Sequence, residues 1–155
     1  MLKLATPILM ALSLTAQATA TAQAGDVAPG DVRIVGGTVA TPLTGEPGDA
    51  ARGKQAFVGR KAGNCLACHL VTSLLDEQQF HGEIGPPLDG VGSLYSPGEL
   101  RAQIVNSKAA NPYTIMPAFY RIAGLNRVPD KFGGTILTAQ QVEDIVAYLG
   151  TLKDE

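Results

Sequence analysis

Two cysteines and a histidine stand close together in the run Cys65-Leu66-Ala67-Cys68-His69. Thiols three positions apart on a tight turn can each form a thioether with one of the two vinyl groups of a porphyrin. The histidine that follows then lies beneath the iron as its proximal ligand. This spacing is the attachment sequence of c-type haem. We therefore expect one covalent haem c, held by Cys65 and Cys68, with His69 on the iron.

Other uses of the two cysteines fit the sequence less well than haem attachment. A four-ligand zinc site would have to recruit His81 as its last ligand. A thioredoxin-like redox pair would need a βαβ context, which the sequence does not show. A disulfide between the pair would close a very small loop, contribute little stability and leave His69 unexplained. Haem attachment accounts for all three side chains.

The second axial ligand of such a haem is commonly a methionine or another histidine. Met1 and Met10 lie in an N-terminal segment that has the features of a signal peptide, so Met116 is the methionine of the mature chain. It lies in the apolar, proline-stiffened loop 111–119, which suits a weak thioether ligand. A lone methionine can also be core filler, and the competing ligand His81 lies in a polar stretch typical of a surface loop. Met116 is favoured, with His81 as the alternative.

A Gly-Pro turn follows the attachment sequence, in the run Ile84-Gly85-Pro86-Pro87-Leu88. A ligating histidine usually donates its other ring N–H to a carbonyl group, which fixes its tautomer and its orientation. The Pro86 carbonyl could accept that hydrogen bond from His69. From this stretch alone, an ordinary turn is an equally good interpretation.

The N-terminus has the three parts of a secretory signal peptide. Lys3 is followed by the apolar run 4–14, which is too short to span a bilayer. Small residues with Ala-x-Ala endings come next. We expect residues 1–24 to be removed after export to the periplasm, with cleavage after Ala24 or Ala22.

The rest of the chain divides by composition into an arm and a domain. Residues 25–48 are rich in glycine and proline, and they predict an extended arm, with at most one short strand, that is not part of the core. From Asp49 onward helical patterns begin, so residues 49–155 are predicted to form a single domain. The net charge of −2 gives no support for nucleic-acid binding, which requires a basic face.

Helical patterns are clear near the start and in the middle of this domain. Asp49 can cap a helix that runs to Val58. Gly53 and Phe57 share one face of it, where the glycine permits close approach by another element. A further helix is predicted from Pro97 to about residue 107. The long stretches between the helices are poorly periodic, which is reasonable if a large apolar cofactor supplies part of the interior.

The last helix is the most clearly patterned element of the sequence. Thr138 and Gln141 form a capping box at its start. Its apolar face repeats with helical spacing at Val142, Ile145, Val146 and Leu149. Glu143 and Asp144 are predicted to lie on the other side, near the positive end of the helix dipole.

Taken together, these residues resemble the class I cytochrome c family over residues 49 to about 152. The resemblance rests on the first helix, the attachment motif, the Gly-Pro turn, the Met116-Pro117 loop and the last helix. It implies an all-α class I cytochrome c fold, wrapped around one covalent haem, with the first and last helices crossing. It also raises Pro86 to a partner of His69 and Met116 to the distal ligand.

Within that family, the runs 63–69, 111–120 and 137–149 resemble the SoxX family, the small monohaem subunits of SoxAX cytochromes. The resemblance implies an electron-transfer subunit of an L-cysteine S-thiosulfotransferase, which joins thiosulfate oxidatively to a cysteine of a SoxYZ-like carrier. It implies a haem-bearing SoxA-like partner for the thiol chemistry and a downstream soluble cytochrome c as electron acceptor.

The chain itself offers no residues for bond-making chemistry. Its cysteines are the two of the attachment motif, and the sequence shows no Ser/His/Asp set, paired carboxylates or phosphate-binding loop. We therefore predict no catalytic residues. The alternatives to a SoxX-like subunit are a free periplasmic cytochrome c that shuttles electrons, and a haem-c sensor in which loss of Met116 ligation opens a ligand site.

Overall fold

The computed structural model describes residues 25–124 and 134–154. Four α-helices and three short 3₁₀ turns occur in this part of the chain. The helices are α1 (Ala50–Val58), α2 (Val91–Leu94), α3 (Pro97–Asn106) and α4 (Ala139–Leu149), and the 3₁₀ turns are Cys65–Ala67, Thr72–Leu74 and Ser107–Ala109. Over the same residues β-structure is limited to one isolated bridge between Val35 and Thr38, so the all-α prediction is confirmed.

Two predictions about the N-terminus are not addressed by this structure. The signal peptide and its cleavage site fall in residues 1–24, which lie outside the described residues. The boundary between leader and mature chain therefore stays a prediction. Among the described helices, none combines the length and the hydropathy needed to cross a membrane.

The predicted helix starts are confirmed by hydrogen bonds at the caps. The Asp49 side chain accepts a hydrogen bond from the Arg52 N–H at 2.7 Å. At the start of α4 the Thr138 hydroxyl accepts from the Gln141 N–H at 3.1 Å, and the Gln141 side chain accepts from the Thr138 N–H at 2.9 Å. Each cap satisfies backbone donors that have no partner inside the helix.

The crossing of α1 over α4 forms the centre of the fold. Gly53 lies so close to α4 that a Cβ atom there would stand 1.9 Å from the Asp144 carbonyl oxygen. One turn later Phe57 meets Tyr148 edge-on, with ring centroids 5.2 Å apart. Glycine is therefore required at the crossing point, as the sequence predicted, because any side chain would push the helices apart.

Replacing Gly53 with alanine is expected to lower the free energy of unfolding by about 1–3 kcal/mol, because the added methyl group overpacks the crossing. The expected loss already takes into account that alanine favours the helix over glycine by roughly 1 kcal/mol. Urea unfolding measures it. Gly30→Ala is the control, because a Cβ at Gly30 would meet no atom within 4 Å. Equal stability of the two variants would show that α1 and α4 can separate without cost.

Glu143 and Asp144, which were predicted to lie on the side of the last helix away from its apolar face, are nevertheless buried. Their exposed fractions are 5% and 4%. Glu143 is bound by Arg101 of α3 and Asp144 by Arg52 of α1. The reason is that α4 is covered on both sides, by α1 on one and by α3 with the N-terminal segment on the other.

The prediction that residues 25–48 lie outside the core is also wrong. The segment is extended, but Val39 and Leu43 are buried in the same hydrophobic cluster as the helices. The Leu43 N–H donates to a Glu143 carboxylate oxygen at 2.8 Å, and the Arg101 guanidinium donates to the Val39 carbonyl at 2.7 Å. Buried polar groups on α3 and α4 therefore hold the N-terminal segment in place.

The Asp144 carboxylate makes the stability of the fold depend on pH. Burial would raise its pKa, but hydrogen bonds from the Arg52 side chain, the Asp49 N–H and the Gln140 amide lower it overall. Because folding lowers this pKa, the ionised carboxylate stabilises the native state at pH values above its unfolded-state pKa of about 4. The stabilisation is lost as the pH falls through the lower pKa of the folded state.

We expect Asp144→Asn to be less stable than the parent near pH 6, with the difference shrinking as the pH falls below about 4. Urea unfolding of both proteins across this range measures the difference. A gap that stays constant down to about pH 3 would show that ionisation of Asp144 does not contribute.

Candidate haem-attachment site

The attachment residues Cys65, Cys68 and His69 are brought together by one tight turn. Asn64 enters it in the left-handed conformation, with φ of 48°. The 3₁₀ turn Cys65–Ala67 follows, and the Cys65 carbonyl accepts from the N–H groups of both Cys68 and His69, at 3.1 and 3.0 Å. Leu66 is buried and anchors the turn to the core. Cys65 and Cys68 are both half-buried, three residues apart on this turn.

The segment 82–88 runs beside the attachment turn, so that its Gly-Pro turn lies next to His69. The Gly82 and Gly85 N–H groups donate to the carbonyls of Leu66 and Cys68, at 2.7 and 2.8 Å. His69 Nδ1 then lies 2.7 Å from the Pro86 carbonyl oxygen. Because a carbonyl only accepts, Nδ1 carries the proton and Nε2 keeps its lone pair, which is the tautomer that a metal ligand needs.

Gly85 fixes the orientation of the His69 ring by close contact. A Cβ atom at this position would stand 2.4 Å from His69 Cε1 and 2.7 Å from Nδ1. The imidazole therefore packs directly on glycine backbone while Pro86 holds its Nδ1. Together the two contacts limit rotation of the ring.

Met116 lies on the inward side of the loop that follows α3. It is half-buried and packs against the hydrophobic core, whereas its neighbours Tyr113 and Ile115 are exposed by 92% and 75%. The Met116 N–H donates to the Thr114 hydroxyl at 3.2 Å. A half-buried thioether flanked by exposed neighbours is thus held in the loop where the sequence predicts the second ligand.

Comparison with known proteins decides the family. The family model for cytochrome c matches residues 50–153. The chain belongs to the cytochrome c family. A chain of SoxXA from P. pantotrophus resembles this cytochrome with a TM-score of 0.79 and 40% sequence identity, over 83% of this chain and 99% of that one. No curated protein sequence matched the chain. Within its family this cytochrome is therefore SoxX-like, and its cofactor is a covalent haem c.

The residues present fit this cofactor. Cys65 and Cys68 stand on one turn as the attachment motif requires, and the tautomer of His69 leaves Nε2 available for iron. When bound, the haem supplies one-electron chemistry.

The Cys65 thiol is unsuited to the chemistry of a free cysteine. Burial, with a smaller contribution from the neighbouring Cys68 and against a backbone hydrogen bond that lowers it, raises the pKa of the unattached Cys65 thiol to about 12. Before haem attachment the sulfur would therefore be a protonated thiol at neutral pH, which is a weak nucleophile. A reactive redox pair would need the thiolate. A thioether is neutral, so burial is compatible with haem attachment.

The loop around His81 is exposed as predicted, but the histidine itself is turned partly inward. It is half-buried, and its Nδ1 accepts a hydrogen bond from the Val71 N–H at 3.2 Å. The neutral ring therefore carries its proton on Nε2, which leaves neither nitrogen free to bind iron. Over residues 25–124 and 134–154, His, Cys, Asp and Glu side chains form no group of three that could hold a metal ion, which argues against the zinc alternative there.

Proposed function

We propose that this cytochrome is the electron-accepting subunit of a SoxAX-type complex in thiosulfate oxidation. The observation that carries the proposal is the 40% identity to a SoxXA chain of which 99% is covered. In this role it takes up the electrons released when thiosulfate is joined oxidatively to a cysteine of a SoxYZ-like carrier. It then passes them to a soluble cytochrome c.

We propose His69 and Met116 as the two axial ligands of the haem iron, with Pro86 fixing the tautomer of His69. The contact of 2.7 Å between His69 Nδ1 and the Pro86 oxygen supports the first assignment. The half-buried position of Met116 in a proline-flanked loop supports the second. A thioether ligand and an apolar loop both favour a high reduction potential, which suits an electron acceptor.

The proposed role places the thiol chemistry on the partner subunit. The two cysteines of this chain are both used for haem attachment, so neither can serve as a nucleophile. The chain therefore contributes electron transfer to an L-cysteine S-thiosulfotransferase whose bond-making residues belong to a SoxA-like haem protein.

The proposal is tested by purifying the tagged full-length chain from the periplasmic fraction of its native host. We expect more than one haem per tagged chain, with a second haem-bearing polypeptide in the same peak. One haem per chain, with the chain running alone, would contradict a stable complex and indicate a free electron shuttle. Recovery of the haem-loaded chain from the cytoplasmic fraction would contradict export.

A further inference from the structure

The loop that carries Met116 is held by hydrogen bonds on both sides of the methionine, one of which reaches α3. Before it, Thr114 holds the Met116 N–H at 3.2 Å. After it, the Phe119 N–H donates to the Ile104 carbonyl of α3 at 3.0 Å. Between these two points the Ser107 hydroxyl donates to the Met116 carbonyl at 2.9 Å. The backbone of Met116 is thus bonded through both its N–H and its C=O.

Ser107 is itself held rigidly. It is 3% exposed and is the first residue of the 3₁₀ turn that follows α3. Its carbonyl accepts from the N–H groups of Ala110 and Asn111, at 3.1 and 3.0 Å. Its hydroxyl therefore projects from a fixed backbone. The hydrogen bond from this hydroxyl holds the Met116 carbonyl at a fixed place relative to the end of α3.

We propose that Ser107 is a positioning residue that keeps Met116 available as the distal ligand of the haem. The inference rests on the ligand assignment made above. A thioether is a weak neutral ligand, so its occupancy depends on how well the protein holds it near the metal. Loss of the Ser107 hydroxyl frees the Met116 carbonyl, and an external ligand that competes with Met116 then binds more tightly.

The probe is imidazole, titrated into the ferric haem-loaded protein while the methionine–iron charge-transfer band is recorded. Ser107→Ala is expected to tighten imidazole binding by roughly 2- to 10-fold, the range that corresponds to the net contribution of one hydrogen bond. The reduction potential should fall in the same variant. A methionine ligand favours the ferrous form, and this preference weakens when Met116 is held less firmly. Ser107→Thr keeps the hydroxyl and should return both values toward those of the parent.

Thr151→Ala is the matched control. Its hydroxyl also donates to a backbone carbonyl, that of Tyr148 at 2.6 Å, but this bond lies at the end of α4 and not in the methionine loop. It should leave imidazole binding unchanged, so that general loss of stability can be separated from release of the ligand.

Two results would overturn the inference, and they are distinguishable. If Ser107→Ala and Thr151→Ala both bind imidazole as the parent does while Met116→Ala loses the charge-transfer band, then Met116 is the ligand and Ser107 does not position it. If Met116→Ala keeps that band, the ligand assignment itself is wrong and the role of Ser107 fails with it. Neither result bears on whether the chain associates with a second haem subunit.

Discussion

Glu143→Ala is expected to lower the free energy of unfolding by about 3–5 kcal/mol, the usual cost of removing one partner of a buried ion pair. Arg101 donates to both carboxylate oxygens of Glu143, at 2.7 and 2.8 Å, and both side chains are about 5% exposed. Without Glu143 the guanidinium stays buried without a counter-charge. The Leu43 N–H loses its acceptor as well.

Urea unfolding of the haem-loaded protein measures this loss, and Glu83→Ala on an exposed position is the control. The double replacement Arg101→Met with Glu143→Leu should be more stable than Glu143→Ala because no unpaired charge is left, but less stable than the parent because the Leu43 N–H and the Val39 carbonyl lose their partners. A loss below about 1 kcal/mol in Glu143→Ala would show that the pair behaves like an exposed salt bridge.

The pair also joins elements that are distant in the sequence, so its loss should be felt at the N-terminus. Arg101 holds the Val39 carbonyl and Glu143 holds the Leu43 N–H. We expect Glu143→Ala to make residues 25–48 more accessible to proteases than in the parent. Unchanged digestion of this segment would mean that the apolar contacts of Val39 and Leu43 hold it without the ion pair.

The second large effect is expected for Met116→Ala. Removal of the thioether should abolish the low-spin methionine-ligated spectrum and lower the reduction potential by an amount on the order of 0.1 V, within the roughly 0.8 V range that axial ligands set. Absorption spectroscopy and a redox titration measure the two quantities.

His81→Ala is the matched comparison for this variant. Because His81 Nδ1 is occupied by the Val71 N–H, the His81→Ala spectrum should remain that of the parent. A parental spectrum in Met116→Ala together with an altered spectrum in His81→Ala would reverse the ligand assignment.

Much of the fold could be predicted because its signals are local. The caps at Asp49 and Thr138 depend on residues within one turn, and Gly53 shares a helix face with Phe57 only four positions later. The burial of Glu143 and Asp144 could not be predicted in this way. Their arginine partners lie 42 and 92 positions away, and helical periodicity does not show that a second face of α4 is covered.

The N-terminal segment was misjudged for a related reason. Its buried residues Val39 and Leu43 follow no helical or strand period, because an extended segment that lies across a core contacts it only at irregular intervals. Composition rich in glycine and proline correctly indicated the lack of regular structure. It carried no information on whether the segment packs on the domain.

In the candidate site, the residues near the motif could be predicted and the residues that support them could not. His69 and Pro86 lie 17 positions apart, but the attachment motif and the Gly-Pro turn each carry a recognisable pattern. Ser107 belongs to no motif, because its contact with Met116 arises from how the loop folds back on α3. The tautomer of His81 likewise depends on a backbone N–H that no pattern specifies.

The central claim, that this cytochrome accepts electrons from thiosulfate conjugation, is tested most directly by rapid mixing of the oxidised, purified complex with thiosulfate and a reduced cysteine-bearing carrier. The haem of this chain should be reduced only when both substrates are present, and Met116→Ala should slow or abolish that reduction. Catalytic turnover with this haem remaining oxidised, or reduction by thiosulfate without the carrier, would contradict the account.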